Sequence, residues 1–151
     1  LPYLKNGYTA VRITEMNENF TRQHQDVRTE NGIEYGDLEK FVDFEYLRKN
    51  TALNLANLAN LAKAPSAPEE VKIEVKNLSN NTLLSWQSPK TGRVKGYYIL
   101  MRETTSPVWQ KKIFTKETEM NLPYSKDNYF FAVQSVNESG NESLMVIPEV
   151  R

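Results

Sequence analysis

The chain contains no cysteine and a single histidine, His24. Without thiols there can be no disulfide framework, no thiolate zinc cluster and no cysteine nucleophile. With one imidazole, any metal centre built from these residues alone would have to be nearly all carboxylate. An excess of charge is lacking too: 19 Lys and Arg balance 19 Asp and Glu, and the pI is near 6.8. No global field exists to hold a polyanion or a charged membrane surface, so nucleic acid is not an expected partner. No apolar run approaches the roughly 20 residues that a membrane span requires. The first residues, Leu1 and Pro2, bring neither an initiator methionine nor a basic-then-apolar signal segment, and the chain reads as a cut or processed piece.

What is present suits packed cores. Apolar residues make up 39% and aromatics 11% of 151 residues, too much for a disordered chain and enough for one ordinary domain or two small ones. The clearest boundary is Lys63-Ala64-Pro65-Ser66-Ala67-Pro68, where two prolines end a helical pattern and precede an alternating one. The expected division is therefore a first unit over residues 1–64, a linker at 65–70 and a second unit at 71–151.

In the first unit the run Ala10-Val11-Arg12-Ile13-Thr14 predicts a short strand, followed by a polar loop to about Asp37. Phe41, Phe44, Leu47, Thr51, Leu55, Leu58 and Ala62 then fall at spacings of three and four, with Asn50, Asn54, Asn57 and Asn60 as a separate polar stripe. That pattern predicts an amphipathic helix with its apolar stripe buried, N-capped by Asp43, with Glu45 and Lys63 placed to suit the helix dipole. One strand, one loop and one helix cannot cover both Val11 and Ile13 and the leucine stripe. An upstream part of the same protein, a second copy of the chain, or the downstream unit must cover the 10–14 strand and the 44–62 helix.

The second unit reads as strands throughout. Val71, Ile73 and Val75 alternate with charged residues, and further strands are predicted at 82–86, 96–102, 109–114, 129–136 and about 144–147. Turn signals recur about every 10 residues, which indicates an all-β sandwich. Trp86, Tyr97 and Tyr129 are expected in its core, whereas Trp109 is open to an outer face. Lys111-Lys112 and Lys90 to Lys95 are too sparse for a basic groove. Five triplets, at Asn19, Asn77, Asn80, Asn137 and Asn141, match the glycosylation acceptor pattern; in so asparagine-rich a chain they read as chance matches.

The opening prolines, Trp86, Val94-x-Gly96-Tyr97-x-Ile99 and Leu122 ahead of Tyr129-x-Phe131-x-Val133 carry a resemblance to the fibronectin type III domain. In that family a tyrosine at the position of Tyr129 ties its hydroxyl back to the preceding turn. The first unit resembles the C-terminal end of the co-catalytic dizinc aminopeptidases, relatives of bacterial leucyl aminopeptidases and transferrin-receptor-like domains. The residues that carry this are Gly7-Tyr8-Thr9-Ala10-Val11-Arg12-Ile13-Thr14-Glu15, Asn17 to Arg28, Tyr35-Gly36-Asp37 and Phe41-Val42-Asp43-Phe44-x-Tyr46-Leu47. The combination looks closest to a secreted bacterial subgroup in which a peptidase domain precedes a fibronectin type III domain.

The resemblance implies an α+β chain: a strand-loop-helix remnant of a doubly wound α/β peptidase domain, then the sandwich. It implies a secreted or periplasmic parent that binds two zinc ions and hydrolyses N-terminal peptide bonds of a peptide substrate. His24 stands where the family's last zinc ligand is expected, in the loop after the final strand. Asp26 follows it by two residues, a closer spacing than the family's aspartate, and either orients a ligand or caps the loop. The remaining ligands and the general base would lie upstream, so this piece alone is expected to be inactive. Glu15, Glu18, Glu30, Glu34 and Asp37 are read as solvated surface. The rival readings are a non-enzymatic secreted interaction module, with the helix serving oligomerisation, and a degenerate peptidase-like domain lacking its metal ligands.

Overall fold

The structure is a computed structural model, and it describes residues 2–8, 10–76 and 79–150. Thr9 of the first motif and Asn77 of the acceptor triplets lie outside the described residues. The chain divides into two compact units, Leu1–Thr51 and Ala52–Arg151.

The first unit opens with a single helical turn, α1 (Pro2–Lys5). Residues 10–15 form no strand and no other regular element, and Val11 and Ile13 are 87% and 53% exposed. A strand is defined by the neighbour it bonds to, and no described segment supplies a neighbour here. The expected strand at 10–14 is corrected accordingly. A hairpin not expected from the sequence follows, β1 (Arg28–Glu30) and β2 (Ile33–Tyr35), joined by Asn31 and Gly32. Both turn residues have positive φ, 50° and 76°, the primed-turn geometry whose twist matches that of paired strands. A short 3-10 turn, Glu39–Phe41, leads into α2 (Phe44–Lys63).

Helix α2 starts where expected. Asp43 caps it, its carboxylate accepting from the Tyr46 N–H at 2.9 Å. Glu45 pairs with Arg48 at 2.7 Å in the first turn. Its apolar stripe, however, is not buried. Phe44, Leu55 and Leu58 are 60–65% exposed and no residue of α2 is buried. The least exposed positions are Asn50, Asn54 and Asn60, on the polar stripe. The helix thus leaves its leucines in solvent among the described residues, so the stripe expected to be buried is uncovered here, and it is Asn60 on the polar stripe that bonds beyond the helix, to Glu142 and Asn141.

The second unit contains two sheets. Strands β3 (Glu69–Ile73), β4 (Thr82–Gln87), β7 (Glu119–Leu122) and β9 (Glu149–Val150) form one, in the order β7-β4-β3-β9. Strands β5 (Gly96–Glu103), β6 (Lys111–Thr115) and β8 (Tyr129–Val136) form the other, in the order β6-β5-β8. All pairings are antiparallel except β3 with β9, which is parallel. The expected strand at 144–147 is reduced to one bridge, Val146 to Val133, after which the chain crosses to the other sheet as β9. Strand β7, with one buried residue in four, carries too little periodicity to be seen in the sequence.

Val71, Leu84, Trp86, Tyr97, Ile99, Met101, Leu122, Phe131 and Val133 make the core between the sheets. Each large apolar side chain buried there contributes roughly 1.5–3 kcal/mol. The alternation in β4 turns Thr82, Leu84 and Trp86 inward. Trp86 meets Tyr97 edge-on, with ring centroids 5.5 Å apart. Tyr129 is partly buried against this core, but its hydroxyl makes no hydrogen bond among the described residues; its ring instead meets Tyr124 edge-on at 5.3 Å.

Candidate metal-ligating loop

His24 sits on the turn Phe20–His24 and is exposed, with a left-handed backbone (φ 55°). The turn is held from both ends. Asn19 accepts at its backbone carbonyl from the N–H groups of Arg22 and Gln23, at 3.1 and 3.2 Å. Its side-chain oxygen accepts from the Thr21 hydroxyl at 2.6 Å. From the far side the Gly36 N–H donates to the Thr21 carbonyl at 3.2 Å, tying the turn to the end of β2. Gly36 is buried with φ 112°, and a Cβ there would lie 2.9 Å from Val27 Cγ2. Only glycine suits that close approach.

Asp26 lies beside the loop with its carbonyl accepting from Arg28 Nη1 at 3.4 Å. Arg28 also reaches Gln25 and Glu30 and stacks on Tyr35, 4.0 Å from the ring centroid. Arg22 packs over Phe41 at the same distance. These contacts brace the peptide around His24 and leave its imidazole in solvent. Nearby, an open cleft of about 570 Å³ is lined by Arg12, Glu15, Glu18, Arg22 and Asp37 among others. Its acids and bases are mixed, as expected of solvated surface; Glu18, for example, accepts from Thr14 and faces Arg12.

Zinc takes three or four protein donors. Among the described residues no group of three or more His, Asp or Glu side chains is placed to hold a metal ion. The described residues alone therefore do not fit a resident zinc ion, and no hydrolytic step is assigned to them.

The sandwich shows one arrangement that the sequence did not suggest. Arg102 lies between Phe130 (4.4 Å) and Trp109 (5.5 Å), Lys111 over Tyr124 (4.2 Å) and Lys112 over Tyr98 (4.1 Å). The paired lysines, too sparse for a basic groove, are seated on rings. Only the strand register, which places β6 beside β5, could have revealed this.

Residues 66–148 match the fibronectin type III domain. The chain belongs to that family. The fibronectin type III unit is similar, for example, to the solved fn3 domain of human collagen alpha-1(XX) chain, with 20% identity, a TM-score of 0.45, and coverage of 54% of this chain and 79% of that one. Over its full extent the chain is similar to longer proteins. It is 45% identical over 148 residues to a protein of Leptosphaeria maculans named as a probable zinc metalloprotease, covering 97% of this chain and 34% of that protein. It is 42% identical over 147 residues to one of the same name from Pyrenophora teres f. teres, covering 97% and 30%. The chain thus spans about a third of the length of the curated relatives it matches. Those relatives are fungal, not members of a bacterial subgroup.

Proposed function

We propose that these residues are the C-terminal portion of a secreted zinc-dependent metallopeptidase of the dizinc aminopeptidase type, which removes N-terminal residues from peptides. The observation that carries this reading is that similarity to proteins named as zinc metalloproteases covers 97% of the chain. It includes the loop that holds His24 as well as the sandwich, and a sandwich alone would say nothing of activity. In this reading His24 supplies one zinc ligand, and the other donors and the general base belong to the part of the protein that these residues do not span. Asp26, whose carboxylate has no partner among the described residues, orients a ligand by hydrogen bonding. The solvent-facing leucines of α2 and, separately, the exposed residues Val11 and Ile13 are surfaces on which the upstream peptidase part packs. The chain by itself is inactive.

The test uses the full-length parent: its zinc content, and its turnover of a panel of aminoacyl chromogenic substrates. About two zinc ions and aminopeptidase turnover are expected, with His24→Ala losing both bound metal and activity. Asp26→Ala is expected to lower metal affinity about 10–100-fold. Unchanged zinc content and activity in His24→Ala would remove His24 from the site. A parent that is metal-free and inert would leave binding as the function.

A further inference from the structure

The acceptor triplets, dismissed as chance on the sequence alone, are not equivalent once folded. At one end of the sandwich, Asn137 donates from Nδ2 to the Lys63 carbonyl at 2.8 Å and to Asn141 Oδ1 at 3.4 Å, and accepts at Oδ1 from the Asn141 N–H at 2.9 Å. Asn141 in turn donates from Nδ2 to Asn60 Oδ1 at 3.3 Å. Both are half-buried. Their amides fasten the last turn of α2 to the turn that follows β8. A sugar on Asn137 would replace one of two N–H donors that are both in use, and a sugar on Asn141 would have to be seated at a half-buried amide already bonded to Asn60.

Asn80 is different. It lies in the turn between β3 and β4, exposed, and its side-chain amide has no partner among the described residues. Thr82, which completes its triplet, is fully buried at the start of β4, and its hydroxyl donates to the Tyr124 carbonyl at 2.7 Å. That hydroxyl is available to a glycosyl-transferring enzyme only before β4 is seated. Afterwards the asparagine remains outside and the threonine is locked in. Asn19 lines the cleft of the first unit beside Ile13, a residue that the proposed function places against the peptidase part.

We infer that Asn80 is a site of N-linked glycosylation, acquired while the chain is still folding, and that soluble, folded protein carries no sugar on Asn137 or Asn141, because chains bearing one there do not close the contacts that hold the end of α2. The inference rests on the secretion contained in the proposed function. The fungal relatives place the chemistry in cells that perform it. The donor is a lipid pyrophosphate-linked oligosaccharide. The Asn80 amide nitrogen forms a bond to the anomeric carbon of the first sugar, the bond from that carbon to the pyrophosphate oxygen breaks, the lipid pyrophosphate leaves, and the amide gives up one proton. No oxidant or reductant is needed.

The test imposes a cleavable secretion leader on the full-length parent in a fungal host and carries Asn77→Gln, since Asn77 and Asn80 share the tryptic peptide 77–90. Enzymatic release of glycans in heavy-oxygen water then marks each occupied asparagine as a labelled aspartate. Label at Asn80, with none at Asn137 or Asn141, is expected. Asn80→Gln should abolish the label on that peptide without lowering secretion. An unlabelled Asn80, or label at Asn137 or Asn141 in soluble, folded protein, overturns the inference. Secretion of the parent behind its own leader is scored separately, so failure of the secretion reading is not confused with failure of the site.

Discussion

The side-chain amide of Asn137 caps the carbonyl of Lys63, the last residue of α2, at 2.8 Å across a sequence separation of 74 residues. Helix ends leave carbonyls unpaired, and a distant side chain here does the work of a C-cap. Asn60, one turn earlier, donates to the Glu142 carbonyl at 3.2 Å. The last turn of α2 therefore belongs to the fibronectin type III unit in its bonding as well as in its chain division.

Replacing Asn137 by Ala removes its bonds to Lys63 and Asn141, should cost about 0.5–1.5 kcal/mol for each well-formed one, and should free the end of α2. Hydrogen exchange should accelerate at the amides near residues 60–64 and stay unchanged in β4 and β5. Uniform acceleration across the sandwich would contradict a local clamp.

Gly36→Ala is expected to dislodge the loop of His24. The added methyl would meet Val27 at 2.9 Å in a backbone conformation that L residues rarely adopt, a cost on the order of 1–3 kcal/mol. Faster tryptic cleavage after Arg22 and Arg28 reads this out. A cleavage pattern equal to wild type would show that the Gly36 to Thr21 bond does not hold the turn.

Trp86→Ala should lose about 3–5 kcal/mol and Thr82→Val about 1–3 kcal/mol, the latter by depriving the half-buried Tyr124 carbonyl of its donor. Thr82→Ser keeps the bond and should cost less than Thr82→Val. Urea denaturation of the three variants gives the ranking, and equal midpoints for the Ser and Val forms would remove the hydroxyl from the account.

The Arg48 guanidinium beside Glu45 holds that carboxyl below its ordinary value of 4.5. A folded-state value lower than the unfolded one means the pairing contributes fully above the unfolded value and is lost as pH falls through the folded one. Helix signal from the start of α2 should weaken as pH drops below about 4.5, and Glu45→Gln should flatten that dependence. Glu45 is exposed, so the effect is confined to the helix end.

The 151 residues on their own should be trimmed first within 1–64 by trypsin, with the sandwich resistant. Protection of that segment on adding the upstream part of the parent would locate the cover of the leucine stripe; equal cleavage with and without it would place the cover elsewhere.

The sandwich was legible because its core is written at period two: Thr82, Leu84 and Trp86 alternate with outward residues, and β8 is apolar for most of its length. Helix α2 was equally plain, down to Asp43. Its burial was not, because periodicity tells which residues share a face and not whether anything covers it. The Asn31-Gly32 hairpin carried a signal of its own, the dipeptide that favours two positive φ values, but its flanking strands are three residues each and show no alternation. The segment at 10–14 has strand composition without a strand, since a ladder needs a neighbour that composition cannot supply. For His24 the loop and its bracing came from the structure, whereas its chemistry stays with the resemblance.

Strands β3 and β9 run in the same direction, pairing Lys72 with Glu149 and Ile73 with Val150. Tension between the start of β3 and the end of β9 would pull along the two strands and strain both pairs together, instead of peeling them apart in turn. A load applied through the two ends of this unit would thus be met in shear, and single-molecule extension should show a higher yield force in this direction than when pulling through Asn80 and Val150.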